Sequence, residues 1–262
     1  MIEHEEIAGV LAELGNHALP AVKITPRKAK SAALWNSKFG GQPYWPRGMT
    51  YPHSQSGAPL YLLAQLNFAE LPALRGYPTK GLLQFFIAND PSYGLEFDQP
   101  LDRQLAAPDG YRIVYHADVN TDVAGLVTDL PAAAAESFLP LTEEYALSFT
   151  LVQDLPAPSD YRFEAIARNI AAIDESMVDA LYDRELGTGS KLGGYAYFTQ
   201  EDPRPYEKSG EEWLLLFQMD TADDDDGVAI MWGDCGVGNF FIQPDALAKL
   251  DFSRVWYSWD CC

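Results

Sequence analysis

The apolar residues of this chain fall into two kinds of run. Near the start, Ile2, Ile7, Val10, Leu11 and Leu14 recur at near-helical spacing. Glu3, Glu5, Glu6 and Glu13 take the outward face, and Gly15 supplies a stop. A longer periodic stretch carries Phe163, Ile166, Ile170, Ile173, Met177 and Leu181, with Gly187 and Gly189 beyond it, and predicts one helix over 160–186. The other runs are continuous. "LYLLAQLNF" and "WLLLFQMD" barely alternate, which predicts strands buried on both faces. "AVKI", "LLQFFIA", "YRIVYHA", "YALSFTLV", "NFFIQ" and the closing "DFSRVWYSWDCC" read as further strands, rich in aromatic and β-branched residues. "PAAAAESFL", opening at Pro131, predicts a short helix.

The pattern is duplicated. "SKFGG" (37–41) returns as "SKLGG" (190–194), and residues 37–66 align with 190–219 without a gap at 11 identical positions of 30. Ordinary residue usage would give roughly two. "GLLQFFIAND" (81–90) is echoed by "GVGNFFIQPD" (236–245). Two repeats, over about 35–90 and 188–247, follow from this, joined without a low-complexity linker. The expected architecture is α+β with β dominant: one compact domain over 1–262, built from two pseudo-symmetric β-rich repeats with a few helices.

Charge narrows the partners. Asp plus Glu number 38 against 18 Lys plus Arg, a net charge of −20. Such a surface repels nucleic acid and anionic membranes and suits either plain solubility or a basic protein partner. Cys235, Cys261 and Cys262 form no disulfide framework and no C-x-x-C pair. The acidic start is no signal peptide and no run is long enough to span a bilayer, so a cytoplasmic location is expected.

The quoted segments carry a resemblance. "SKFGGQPYWP", "PLYLLAQLNFAELP" and "GLLQFFI", then "KLGGYAYFTQEDPR", "WLLLFQMD" and "IMWGDCGVGNFFI", resemble the two halves of the YwqG-like bacterial family over Trp35 to Leu247. One departure is "GGYAYF", where a Gly-Tyr-Pro-like turn is more usual. The resemblance implies a β-rich fold with two structural repeats and a domain of unknown function, with no catalytic residues to carry over. Some members are similar in genomic setting to immunity proteins beside bacterial toxins, which implies a protein-binding role.

Candidate chemistry is sparse. His4, His17, His53 and His116 are scattered, with no metal-ligand spacing. No G-x-S-x-G elbow or Walker A loop occurs, and no cofactor is expected. Asp223, Asp224, Asp225 and Asp226 could offer oxygens to calcium, but the EF-hand frame fails at Ala222 and Gly233, so a solvated acidic hairpin loop is the simpler account. Paired acids raise a hydrolase assembled from distant carboxylates as the alternative function. Glu143/Glu144 and Glu211/Glu212 are poor dyads, since strand neighbours face opposite sides. The two turns remain. Lys38 with Gly40 and Gly41, and Lys191 with Gly193 and Gly194, would make an anion or carboxylate site if symmetry brought them to one groove. The simpler reading gives the glycines to the turns and leaves the lysines in water. Gln65 and Gln218, inside apolar runs, must find hydrogen bonds and are expected to tie loops to the sheet.

Overall fold

The runs that lack alternation become strands covered on both faces. The computed structural model describes residues 4–131, 137–206, 210–223 and 227–261. Helix α1 (His4–Leu14) leads into β1 (Leu19–Arg27), β2 (Lys38–Phe39), β3 (Tyr61–Asn67) and β4 (Leu82–Ile87). Then come α2 (Leu101–Ala106), β5 (Tyr111–His116), β6 (Tyr145–Asp154), α3 (Phe163–Ala167) and α4 (Glu175–Tyr182). The chain continues through β7 (Lys191–Gly193), β8 (Leu214–Asp220), β9 (Ala222–Asp223), β10 (Ala229–Ile230), β11 (Val237–Ile242), α5 (Pro244–Ala248) and β12 (Trp256–Asp260). Every residue of β4 and β11 is buried, as is all but the first of β3 and β8.

Ten strands make one antiparallel sheet in the order β12-β11-β8-β7-β1-β6-β2-β3-β4-β5. Reversed, the order pairs β1 with β6, β2 with β7, β3 with β8, β4 with β11 and β5 with β12, which is the duplication written as topology. The leading strands are exchanged. β1 lies beside β7 of the second repeat, and β6 lies beside β2 of the first. Lys23 faces Lys191 as Ala146 faces Lys38, an offset of 123 (146 − 23). Thr25 and Ser148 differ by that same 123 and face each other across β1 and β6, so the pseudo-twofold axis passes through this pair.

The sheet curls nearly shut. β4 and β8 stand six places apart in the order, about 29 Å in a flat sheet. Phe85 of β4 nevertheless meets Phe217 of β8 at 4.6 Å between ring centroids and Phe240 of β11 at 4.8 Å. At the rims Tyr111 of β5 packs on Tyr257 of β12, and its hydroxyl donates to the Val255 carbonyl at 2.9 Å. The large core fills the interior, while smaller clusters around Trp45 with Phe86 and around Trp213 with Phe241 cover the outer faces.

The expected helix over 160–186 is two short ones. Asp174 is extended (φ −106°, ψ −177°), and its carboxylate accepts from Met177 N at 2.9 Å, capping a fresh start at α4. α3 has already ended at Ala167, where Asn169 Nδ2 turns back to donate to the Ala165 carbonyl at 2.8 Å, so two polar side chains with local backbone partners frame a gap that apolar spacing alone would bridge. α1, α3 and α4 pack together through residues including Val10, Leu14, Phe163, Met177 and Leu181. Of the short helix expected from Pro131, positions 132–136 lie outside the described residues, as does Cys262.

Gln65 and Gln218 do the same job in both repeats. Gln65 Oε1 accepts from Tyr44 N at 2.8 Å, and its Nε2 donates to the Leu34 and Asn36 carbonyls at 2.8 and 2.7 Å. Gln218 Oε1 accepts from Tyr197 N at 2.8 Å, and its Nε2 donates to the Gly187 and Gly189 carbonyls at 2.9 and 2.7 Å. Each amide therefore holds both ends of an "SKxGG" turn against its strand. Gln84 and Asn239 repeat the theme one strand further out, donating to the Tyr44 and Tyr197 carbonyls. Replacing Gln218 by Leu fills the volume but strands one amide and two carbonyls. At about 1–3 kcal/mol for each buried unsatisfied group, urea denaturation is expected to show Gln218→Leu destabilised by at least about 3 kcal/mol.

Candidate functional site

The two turns do not share a groove. They sit at opposite ends of β6, which spans ten residues, about 33 Å. Each is already occupied by a carboxylate from that strand's ends. Gly194, at φ 78°, leaves room for the Asp154 carboxylate, which a side chain there would overlap. Asp154 Oδ2 accepts from Lys191 Nζ at 2.7 Å and from Tyr195 N at 2.8 Å. In the first repeat Gly41, at φ 70°, makes the same room for Glu144. Lys38 Nζ lies 3.9 Å from Glu144 Oε2 and donates to the Gln42 carbonyl at 3.0 Å. Gly40 lies close to the Glu143 backbone and Gly193 close to Leu74 and Pro20. Neither lysine stays in water: Lys38 is 1% and Lys191 3% exposed. Burial lowers both ammonium pKa values, against the opposing charge of Glu144 for Lys38 and of Asp154 for Lys191.

The copies differ in where the acid comes from. The offset of 123 takes Asp154 back to Ser31, whose uncharged hydroxyl cannot form an ion pair with a lysine. Its amide and hydroxyl instead both donate to Glu144 Oε1 at 2.7 Å. The second turn is thus a closed ion pair and the first an open one.

A larger charge cluster extends from the second turn. Asp160 and Arg162, and Asp202 and Arg204, make the same local fork: each arginine donates its own amide and its Nε to the aspartate two residues back. Arg204 Nη2 joins the forks by reaching Asp160 Oδ2 at 2.8 Å, and Ala196 N donates to that oxygen at 2.9 Å. Rings close the cluster, with Arg162 over Tyr195 at 4.4 Å and Arg204 over Tyr161 at 4.7 Å and Phe241 at 4.8 Å. Burial pushes the Asp160 carboxyl up, but hydrogen bonds and charge from Arg162 and Arg204 outweigh it and hold it at about 2. An acid so held carries no proton near neutral pH, so this convergence of distant carboxylates is built as a clamp and not as a general acid. The two D-x-R stretches in the sequence were the signal for it.

The remaining candidates stand apart. Asp223 ends β9 in a two-residue pairing with β10, while Asp224, Asp225 and Asp226 lie outside the described residues. Among the described residues, no three His, Cys, Asp or Glu side chains are grouped to hold a metal ion. Glu143 is exposed beside Lys28, whereas its neighbour Glu144 turns inward. His116 is buried with Nε2 at 2.9 Å from Gln84 Oε1, and burial lowers its pKa to about 4. The ring is therefore neutral and donates to that oxygen, because the Gln84 amide nitrogen is already donating elsewhere.

Asp220 carries a cost the first repeat avoids, since its counterpart there is Asn67. Burial raises the Asp220 carboxyl to about 6, against Gly189 N, which donates at 2.6 Å, and the charge of Lys191. A pKa raised above the unfolded value of 3.8 gives stability that is full below pH 3.8 and lost as pH rises through about 6. Asp220→Asn keeps the acceptor and removes the charge. The variant is expected to be more stable at pH 7 by about 1–3 kcal/mol, with the gain fading below pH 4, as read by denaturation across pH.

A family profile matches residues 37–261, which include both turns, both glutamines and the charge cluster. Comparison with curated proteins gives no match. The chain belongs to the family described as a domain of unknown function, DUF1963.

Proposed function

We propose that this chain is a non-enzymatic binding module of the bacterial cytoplasm that docks a basic protein partner on its helical layer. One observation carries the reading. The layer of α1, α3 and α4 turns its apolar side inward and exposes Glu5, Glu6, Glu13, Glu164, Glu175, Asp179, Asp183 and Glu185. Against these stand two exposed arginines, Arg168, which pairs with Glu164, and Arg184. The opposite arrangement holds inside, where Lys38, Lys191 and Arg204 are buried against carboxylates of the chain itself. A face of one sign steers association with a partner of the other and fixes its orientation. The YwqG-like resemblance supports a partner of toxin type, whose basic surface the module would cover.

The test compares two triple variants of equal charge. Glu175→Gln, Asp179→Asn and Asp183→Asn neutralise the helical layer, and Glu96→Gln, Asp98→Asn and Asp102→Asn neutralise a different surface. The immobilised chain, exposed to lysate of its native cell, is expected to retain a basic protein that about 0.5 M salt releases. Retention should fall at least tenfold for the helical variant and hold for the other. Equal retention by both variants, or a retained protein that is not basic, overturns the reading.

A further inference from the structure

The open turn of the first repeat borders a cavity. The cavity holds about 410 Å³, within the range of small-molecule sites. Lys38 and Glu144 stand in its wall, with the half-buried Leu34 and Trp35, exposed Val123 and exposed Lys30. The Lys38 side chain is 2% exposed, yet among the described residues its ammonium donates to a single acceptor, the Gln42 carbonyl. Three donors are available on such a group. Glu144 has one oxygen held by Ser31, while the other faces Lys38 across 3.9 Å, beyond hydrogen-bond reach. A buried donor and a largely buried acceptor are thus both short of partners, side by side, at an apolar cavity.

We infer that this cavity binds a free α-amino acid with an apolar side chain. The ligand carboxylate takes the open donors of Lys38 and the charge of Lys30. Its ammonium takes the free oxygen of Glu144. Its side chain lies against Leu34, Trp35 and Val123. A simple organic anion leaves Glu144 facing a negative charge, and a simple amine leaves Lys38 facing a positive one. The zwitterion satisfies both groups at once. Unpaired buried polar groups give strong discrimination against analogues that lack the matching group. The site is distinct from the acidic helical layer and does not depend on it.

Calorimetric titration tests this with leucine, isocaproate (leucine without its ammonium) and isopentylamine (leucine without its carboxylate). Leucine is expected to bind saturably, and each analogue at least tenfold more weakly. Val123→Trp fills the cavity from an exposed turn and should abolish leucine binding with the fold intact. Lys30→Ala, also at the surface, should weaken leucine several-fold and leave isopentylamine unchanged. Lys38→Met should lose leucine binding, and the two surface variants decide the matter if that protein does not fold. The proposal falls if leucine gives no saturable heat at millimolar concentration, if either analogue binds as well as leucine, or if Val123→Trp binds leucine normally.

Discussion

A glutamine amide placed inside a fully apolar strand has to be satisfied within the protein, and in this molecule that obligation organises the rest. Gln65 and Gln218 are wholly buried, so water can take none of their hydrogen bonds. Each finds one amide and two carbonyls on the segments flanking an "SKxGG" turn. Those segments are thereby fixed to the sheet, the glycine pair is held in its left-handed conformation, and the lysine is carried below the surface. A lysine in that position requires a carboxylate nearby, and the ends of β6 supply one in each repeat. Glutamine, glycine pair, lysine and acid form a chain of dependencies that starts from a single amide.

Four of the eleven identities retained between the repeats, at Lys38, Gly40, Gly41 and Gln65, are members of that chain, and they helped make the duplication legible in the sequence. Its meaning as topology was only half legible. Continuous apolar runs announced strands buried on both faces, and β3, β4, β8 and β11 are such strands. Nothing in the runs states that β1 crosses to the other repeat, because strand exchange leaves local pattern and register parity untouched. The helices show the opposite failure. Apolar spacing over 160–186 is regular, but α3 stops at Ala167 and Asp174 caps a separate start, and a polar side chain's choice of partner is invisible to periodicity.

The site followed the same division. The turns were visible as turns, and glycine's tolerance of positive φ was the right reason for them. The acids that fill them were not visible, since Glu144 and Asp154 meet lysines at separations of 106 (144 − 38) and 37 (191 − 154) residues with no shared spacing. Glu143 and Glu144 do point apart, one outward and one inward, but from the segment just before β6 and not as strand neighbours. The Asp160–Arg162 and Asp202–Arg204 forks escaped the sequence reading: the repeated D-x-R stretches are there, but only the fold shows the forks and that Arg204 joins them. The two copies have diverged where sequence comparison alone is least informative, at Ser31 against Asp154, outside the aligned segments.

The exchanged leading strands also have a consequence for how the chain is made. β1 hydrogen-bonds to β6 on one side and β7 on the other, and β6 begins more than 120 residues after β1 starts. At about 5–20 residues per second, the ribosome takes on the order of ten seconds to deliver the first partner. Over that interval the nascent polypeptide carries a nine-residue strand with both edges bare, together with four more strands, β2 to β5, whose curl cannot close. The order in which the parts are written therefore leaves this central strand without either of its sheet partners for most of the first half of synthesis.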